Sequence, residues 1–191
     1  MKKRRLLVVA LVLGITGGLL GWGYDVFIEG GNFRIVRENV LYRSGTLSHH
    51  EWKEVRRENP PFKSVLNLRG ESKEEWYSRE RALSEQDNIS YASIRLSANR
   101  EPDMATMEQI VEVMRSAPKP LLVHCMQGAD RTGLASALYV YAIEGKPAEV
   151  ADNELSIYYG HFPWLISRSG AMDRAFAKYV VAHPQQTTSR Q

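Results

Sequence analysis

The chain has 191 residues, 43% of them apolar and 25% charged, with a formal net charge of +3. That balance belongs to a folded domain with its own core and excludes a disordered chain. Lys2, Lys3, Arg4 and Arg5 supply four of the positive charges, so the rest of the chain carries −1; with no nucleic-acid-binding motif in view, no nucleic-acid partner is expected.

Behind the basic cluster lies an uncharged run, residues 6–24 (LLVVALVLGITGGLLGWGY). Its length is close to the roughly 20 residues that a membrane-spanning helix needs. No Ala-x-Ala cleavage site follows it, and Trp22 and Tyr24 lie where interfacial aromatics are found. Residues 1–24 therefore read as a signal anchor or transmembrane segment, with a cleaved signal peptide and a buried soluble helix as alternatives. The basic residues ahead of the run place the N-terminus in the cytoplasm and the domain on the other side of the membrane, periplasmic in a bacterium. Residues 25–39 read as a juxtamembrane linker around Gly30-Gly31, residues 40–183 as the folded domain and 184–191 as a flexible tail.

Within the domain, strands and helices alternate. Val40-Leu41-Tyr42 reads as a short strand. Ser48 and Glu51 have capping-box spacing and open a helix to about Glu58, stopped by Pro60-Pro61. Residues 64–68 read as a buried strand, Ser72 and Glu75 as a second capping box with a helix to about Gln86, and residues 89–94 as a half-buried strand. From about Asp103 a helix places Met104, Met107, Ile110, Val111 and Met114 on one face. After Pro118 and Pro120, Leu121-Leu122-Val123 forms another apolar strand, and the helix from Thr132 to about Ile143 is apolar almost all round. Pro147 suits the first turn of the next helix, and a last helix carries Met172, Ala175, Phe176, Tyr179 and Val180. This pattern predicts an α/β domain with a central, mostly parallel sheet of four or five strands flanked by helices. Ligands of such folds sit at the carboxyl ends of strands, where Cys125 lies.

The chemistry concentrates in His124-Cys125-Met126-Gln127-Gly128-Ala129-Asp130-Arg131-Thr132-Gly133. A loop between a strand and a helix can aim the amides of Met126, Gln127, Gly128, Ala129, Asp130 and Arg131 at a bound dianion, and the helix N-terminus adds its positive end. The same field favours the thiolate of Cys125, whose ordinary pKa is near 8.5. Arg131 offers a bidentate fork to two phosphoryl oxygens, and Thr132 a hydroxyl that can reach the thiolate. The plainer alternative is that Cys125, the only cysteine, is a small buried hydrophobe.

This loop resembles that of the protein tyrosine and dual-specificity phosphatase superfamily. Leu41-Tyr42-Arg43-Ser44-Gly45, residues 65–69 and Tyr158-Tyr159-Gly160-His161-Phe162 are similar to the compact atypical members, so the resemblance spans most of residues 40–165. It implies a phosphocysteine intermediate, no metal or cofactor, and an aspartate acid on a separate loop. It also implies that His124 tunes the thiolate, and that the partner is a phosphorylated protein, lipid or inositol. Asp103, after Asn99-Arg100-Glu101-Pro102, is the expected acid, and it is equally placed as an N-cap. Glu101 is a substitute for it. Asp130 is the rival, because an aspartate before the loop arginine resembles myotubularins and lipid-active bacterial phosphatases; its structural alternative is an acceptor bracing the loop. Arg43, Arg69, Arg95 and Arg100 are the cations that can offset its charge. Two further readings are a catalytically weak phospho-ligand-binding module and an arsenate reductase, the latter requiring an external thiol.

Overall fold

The computed structural model describes residues 2–27, 31–163 and 170–185. Its sheet has five strands: β1 (Arg34–Arg37), β2 (Leu41–Ser44), β3 (Ser64–Asn67), β4 (Ser90–Ser93) and β5 (Leu121–His124). They lie in the order β1-β2-β5-β3-β4, with β1 antiparallel to β2 and all other pairs parallel. The last-formed strand is thus the central one, flanked by β2 and β3, and the loop that follows it opens in the middle of the sheet.

The period of two along each strand sends side chains to two cores. Leu41, Leu66, Leu121 and Val123 face one, against α4 (Met104–Ser116), α5 (Asp130–Leu138) and α7 (Gly170–Ala182). Tyr42, Val65 and Leu122 face the other, against Trp52 and Val55 of α2 (His49–Glu58) and Leu83 of α3 (Glu75–Gln86). The methionine stripe is buried as its spacing predicts: Met107, Ile110, Val111 and Met114 point inward from α4. The apolar helix α5 is covered on all sides and continues through a wide π turn, Tyr139–Ile143. Pro147 is the N-cap of α6 (Ala148–Ala151) rather than its first residue.

The capping box at Ser48 forms, with both Ser48 and Glu51 engaged. The one at Ser72 does not. Its hydroxyl accepts from the amide of Glu74, and α3 begins one residue later with no side-chain cap. Two other differences concern the N-terminal part. Part of the stretch read as linker is strand β1, an edge strand with a half-exposed alternation too short to show as a pattern. Residues 2–27 form one helix, α1. Yet no helix among the described residues is long and apolar enough to cross a membrane, so the structure does not supply the expected transmembrane element. Of the expected tail, residues 186–191 lie outside the described residues; Gln185 is held by the carbonyls of Tyr141 and Lys146.

Candidate active site

Strands β2, β5 and β3 end level, with Ser44 beside His124 and His124 beside Asn67. The cradle of the Cys125–Ala129 loop is built around these ends. Thr46 Oγ1 donates to the carbonyl of Cys125 at 3.0 Å and the Thr46 amide to that of Met126 at 3.2 Å. Asn32 Nδ2 donates to the Gln127 carbonyl at 2.9 Å. Arg43 Nη2 donates to the Gly128 carbonyl at 3.0 Å, and the Gly133 amide to the Ala129 carbonyl at 2.8 Å. Every carbonyl from Cys125 to Ala129 is therefore taken by the surrounding scaffold. In a trans peptide the C=O and the next N–H point opposite ways. The amides of Met126, Gln127, Gly128, Ala129 and Asp130 are thus turned to the concave side of the loop, where the start of α5 adds its unpaired N–H groups. Gly128 makes this turn possible. Its φ is +74°, and a Cβ there would lie 2.6 Å from both Gly45 N and Ser44 C.

Cys125 is buried at the floor of this loop. Arg131 is partly buried, and its Nη1 donates to the Leu96 carbonyl at 3.4 Å. Its Nε is buried with no protein partner among the described residues. Arg69 forms a second cation at the site. It donates to Thr46 Oγ1 at 2.8 Å, stacks 3.5 Å from the Trp76 ring centroid, and sits in the field of both Arg131 and Cys125. Burial and the neighbouring Arg131 lower its pKa, opposed by Glu74, Glu80 and Cys125. Thr132 Oγ1 donates to the Ser44 carbonyl at 3.4 Å and ties α5 to β2.

Behind Cys125, the His124 ring is buried between two oxygens. Nε2 lies 3.0 Å from Glu80 Oε1, and Nδ1 lies 3.3 Å from the Cys125 carbonyl oxygen. The Tyr91 hydroxyl also donates to Glu80 Oε1. Burial pushes the Glu80 carboxyl up, but His124, Tyr91 and Arg69 outweigh it and hold the group below the ordinary range.

The other expected residues divide into those at the loop and those away from it. Arg43 is fully buried under the loop, bonded to Glu154 and lying 3.6 Å from the Tyr159 ring centroid. Asp130 accepts from the buried ring of His161. Asp103 is exposed and caps α4, its Oδ1 accepting from the Thr106 amide at 2.8 Å; Thr106 holds its pKa below the usual carboxylate value. Glu101 is committed to Arg174 and Lys178 of α7. Arg95 is exposed and bonded to the Glu71 carbonyl, and Arg100 is exposed. No cluster of His, Cys, Asp or Glu among the described residues is arranged to hold a metal ion. Asn32, Thr46, Glu80 and Glu154 join the site without having been expected there. Each is a common polar residue whose role is set only by the fold.

Residues 26–156 match the model of the tyrosine phosphatase family. No curated protein sequence matches the chain. Among solved structures, Tk-PTP in its active form is 19% identical with a TM-score of 0.57, covering 76% of this chain and 97% of its own. TpbA of P. aeruginosa is 22% identical with a TM-score of 0.54, covering 75% and 85%. The catalytic core of the PP-IP phosphatase SIW14 from S. cerevisiae is 17% identical with a TM-score of 0.58, covering 79% and 91%. At these identities the likeness is one of fold.

Proposed function

This chain belongs to the tyrosine phosphatase family and is a cysteine-dependent phosphatase; we propose that it hydrolyses phosphate monoesters through a phosphocysteine intermediate on Cys125. The observation that carries the proposal is the loop whose five carbonyls are all bound by the scaffold, leaving its amides facing inward. These amides and Arg131 hold the phosphoryl oxygens, and the clamp tightens as charge spreads over them in the transition state. The Cys125 thiolate forms a bond to phosphorus as the ester oxygen leaves and takes a proton from the acid. Water then gives a proton to the same carboxylate and attacks phosphorus, the S–P bond breaks, and phosphate and thiolate are released.

Asp103 is the proposed acid. Arg131 is bonded to the Leu96 carbonyl, so the segment from Leu96 to Asp103 starts beside the loop. Of its two carboxylates, Glu101 is occupied by α7, while one Asp103 oxygen caps α4. Asp130 instead braces the loop through His161.

The proposed substrates are phosphotyrosine or a phosphorylated inositol or lipid. One structure of similar fold is TpbA in complex with phosphotyrosine, and another is the PP-IP phosphatase. Attachment to a membrane, with the domain on its extracytoplasmic side, is proposed from the sequence alone, on the basic cluster and the uncharged run behind it. A periplasm-dependent reporter fused at the C-terminus tests it; an inactive reporter overturns the orientation.

The test of the chemistry is turnover of an aryl phosphate in the presence of chelator. Activity that vanishes in Cys125→Ser supports the reading, and full activity in that variant sinks it. A panel of phosphopeptides, inositol phosphates and phospholipids then ranks the substrates.

A further inference from the structure

Glu80 is the only carboxylate among the described residues that is fully buried. A buried charge is costly unless it is paired and hydrogen-bonded. Here it is both, and its pairing leads straight to the nucleophile. Tyr91 on β4 fixes one oxygen, and that same oxygen lies against His124 Nε2 at the end of β5, one residue before Cys125. The other ring nitrogen, Nδ1, faces the carbonyl oxygen of Cys125.

Both atoms facing the ring are acceptors. Against an ionised Glu80, a neutral imidazole with its single donor would set its bare nitrogen's lone pair against an oxygen; only the doubly protonated ring then satisfies both contacts. We propose that Glu80 is a positioning residue for the reaction, holding His124 as an imidazolium so that a fixed positive charge stands beside the Cys125 thiolate. Glu80 and His124 cancel in net charge, but the ring is the member that touches Cys125, through its carbonyl, and Glu80 lies beyond the ring, so the nearer charge at that residue is the positive one. Three other groups share this cluster. Tyr91 donates to Glu80, Arg69 acts on Glu80 from the end of β3, and Arg131 acts on Arg69.

The inference rests on Cys125 being the nucleophile, yet its test uses no turnover. Cys125 is the only cysteine in the sequence, so the pH dependence of alkylation by iodoacetamide in the full chain reports a single thiol. Glu80→Gln keeps the size and an acceptor for Tyr91 while removing the charge. The proposal expects the alkylation midpoint to rise, with about tenfold slower alkylation at pH 6, which corresponds to about one pKa unit. A ring that is neutral in the native protein gives the opposite sign, because Glu80 is then only a negative charge near the thiolate and its removal lowers the midpoint. A lowered or unchanged midpoint overturns the proposal. If Glu80→Gln does not fold, ¹⁵N spectra of the native chain with labelled histidine decide the matter. Both His124 nitrogens protonated at pH 7 support it, and a neutral tautomer overturns it. A chain that passes these tests but hydrolyses no phosphate ester refutes the proposed function, and leaves the charge arrangement around His124 standing with no reaction for Glu80 to serve.

Discussion

Asp130 Oδ1 lies 2.7 Å from Nδ1 of His161, whose Nε2 lies 3.0 Å from Asp173 on α7. A buried ring thus ties the residue before Arg131 to the last helix. Burial lowers the His161 pKa, but its bonds to Asp130 and Asp173 more than reverse this and raise it above 6.5. A third carboxyl, Asp152, is raised by burial and by Asp173 while His161 opposes the rise. A raised histidine stabilises the fold fully below its unfolded pKa, and the contribution disappears as pH climbs through the folded value. The unfolding midpoint should therefore fall between pH 6 and pH 9. In His161→Gln the protein should be less stable by about 3–5 kcal/mol, as for other broken buried pairs, and that pH dependence should be lost. Urea unfolding at the two pH values checks both.

Arg43 is held by Glu154 and the Gly128 carbonyl with no exposure to solvent. Arg43→Met strips both of their partner. The expected cost is about 3 kcal/mol or more in stability, with vanadate binding weakened at temperatures where the variant is still folded. Calorimetry and vanadate titration measure the two effects.

Asn caps helices as well as Asp does, so Asp103→Asn separates capping from proton donation. Its melting temperature should match that of the native chain, while turnover of substrates with poor leaving groups should fall by about 10²-fold. An acid must be protonated to act, and Thr106 holds this one low. Activity should therefore decline as pH rises, and the variant should lose that limb of the pH–rate profile. Asp130→Asn should keep it.

Gly128→Ala places a Cβ against the backbone of Ser44 and Gly45 at a positive φ. The loop must shift, turning amides away from the phosphoryl oxygens. A loss of about 10²–10³-fold in kcat, with vanadate affinity falling alongside, is the expected outcome in steady-state assays.

Much of this arrangement was legible in local patterns. The Ser48 box, the α4 stripe and the apolar strand before Cys125 are all short-range signals, and the loop carries its own chemistry in ten consecutive residues. What escaped was long-range. Glu80 sits 44 residues from His124 on a helix that reads as mostly polar, and nothing local distinguishes it from its exposed neighbours. His161 and Asp130 are 31 residues apart, so a pairing that only the fold creates left both with generic readings. Strand β1 was hidden because four residues at a sheet edge need bury little. Asn32 lay in a stretch read as linker, although it is buried and bonded to the loop.

Rapid quench of the native chain with an aryl phosphate, followed by mass spectrometry of the peptide carrying Cys125, tests the central claim most directly. The account predicts one phosphoryl group on Cys125 that forms before phosphate is released and is absent in Cys125→Ser. Phosphate release with no modification of Cys125 at any time, and with the rate preserved in Cys125→Ser, would contradict it.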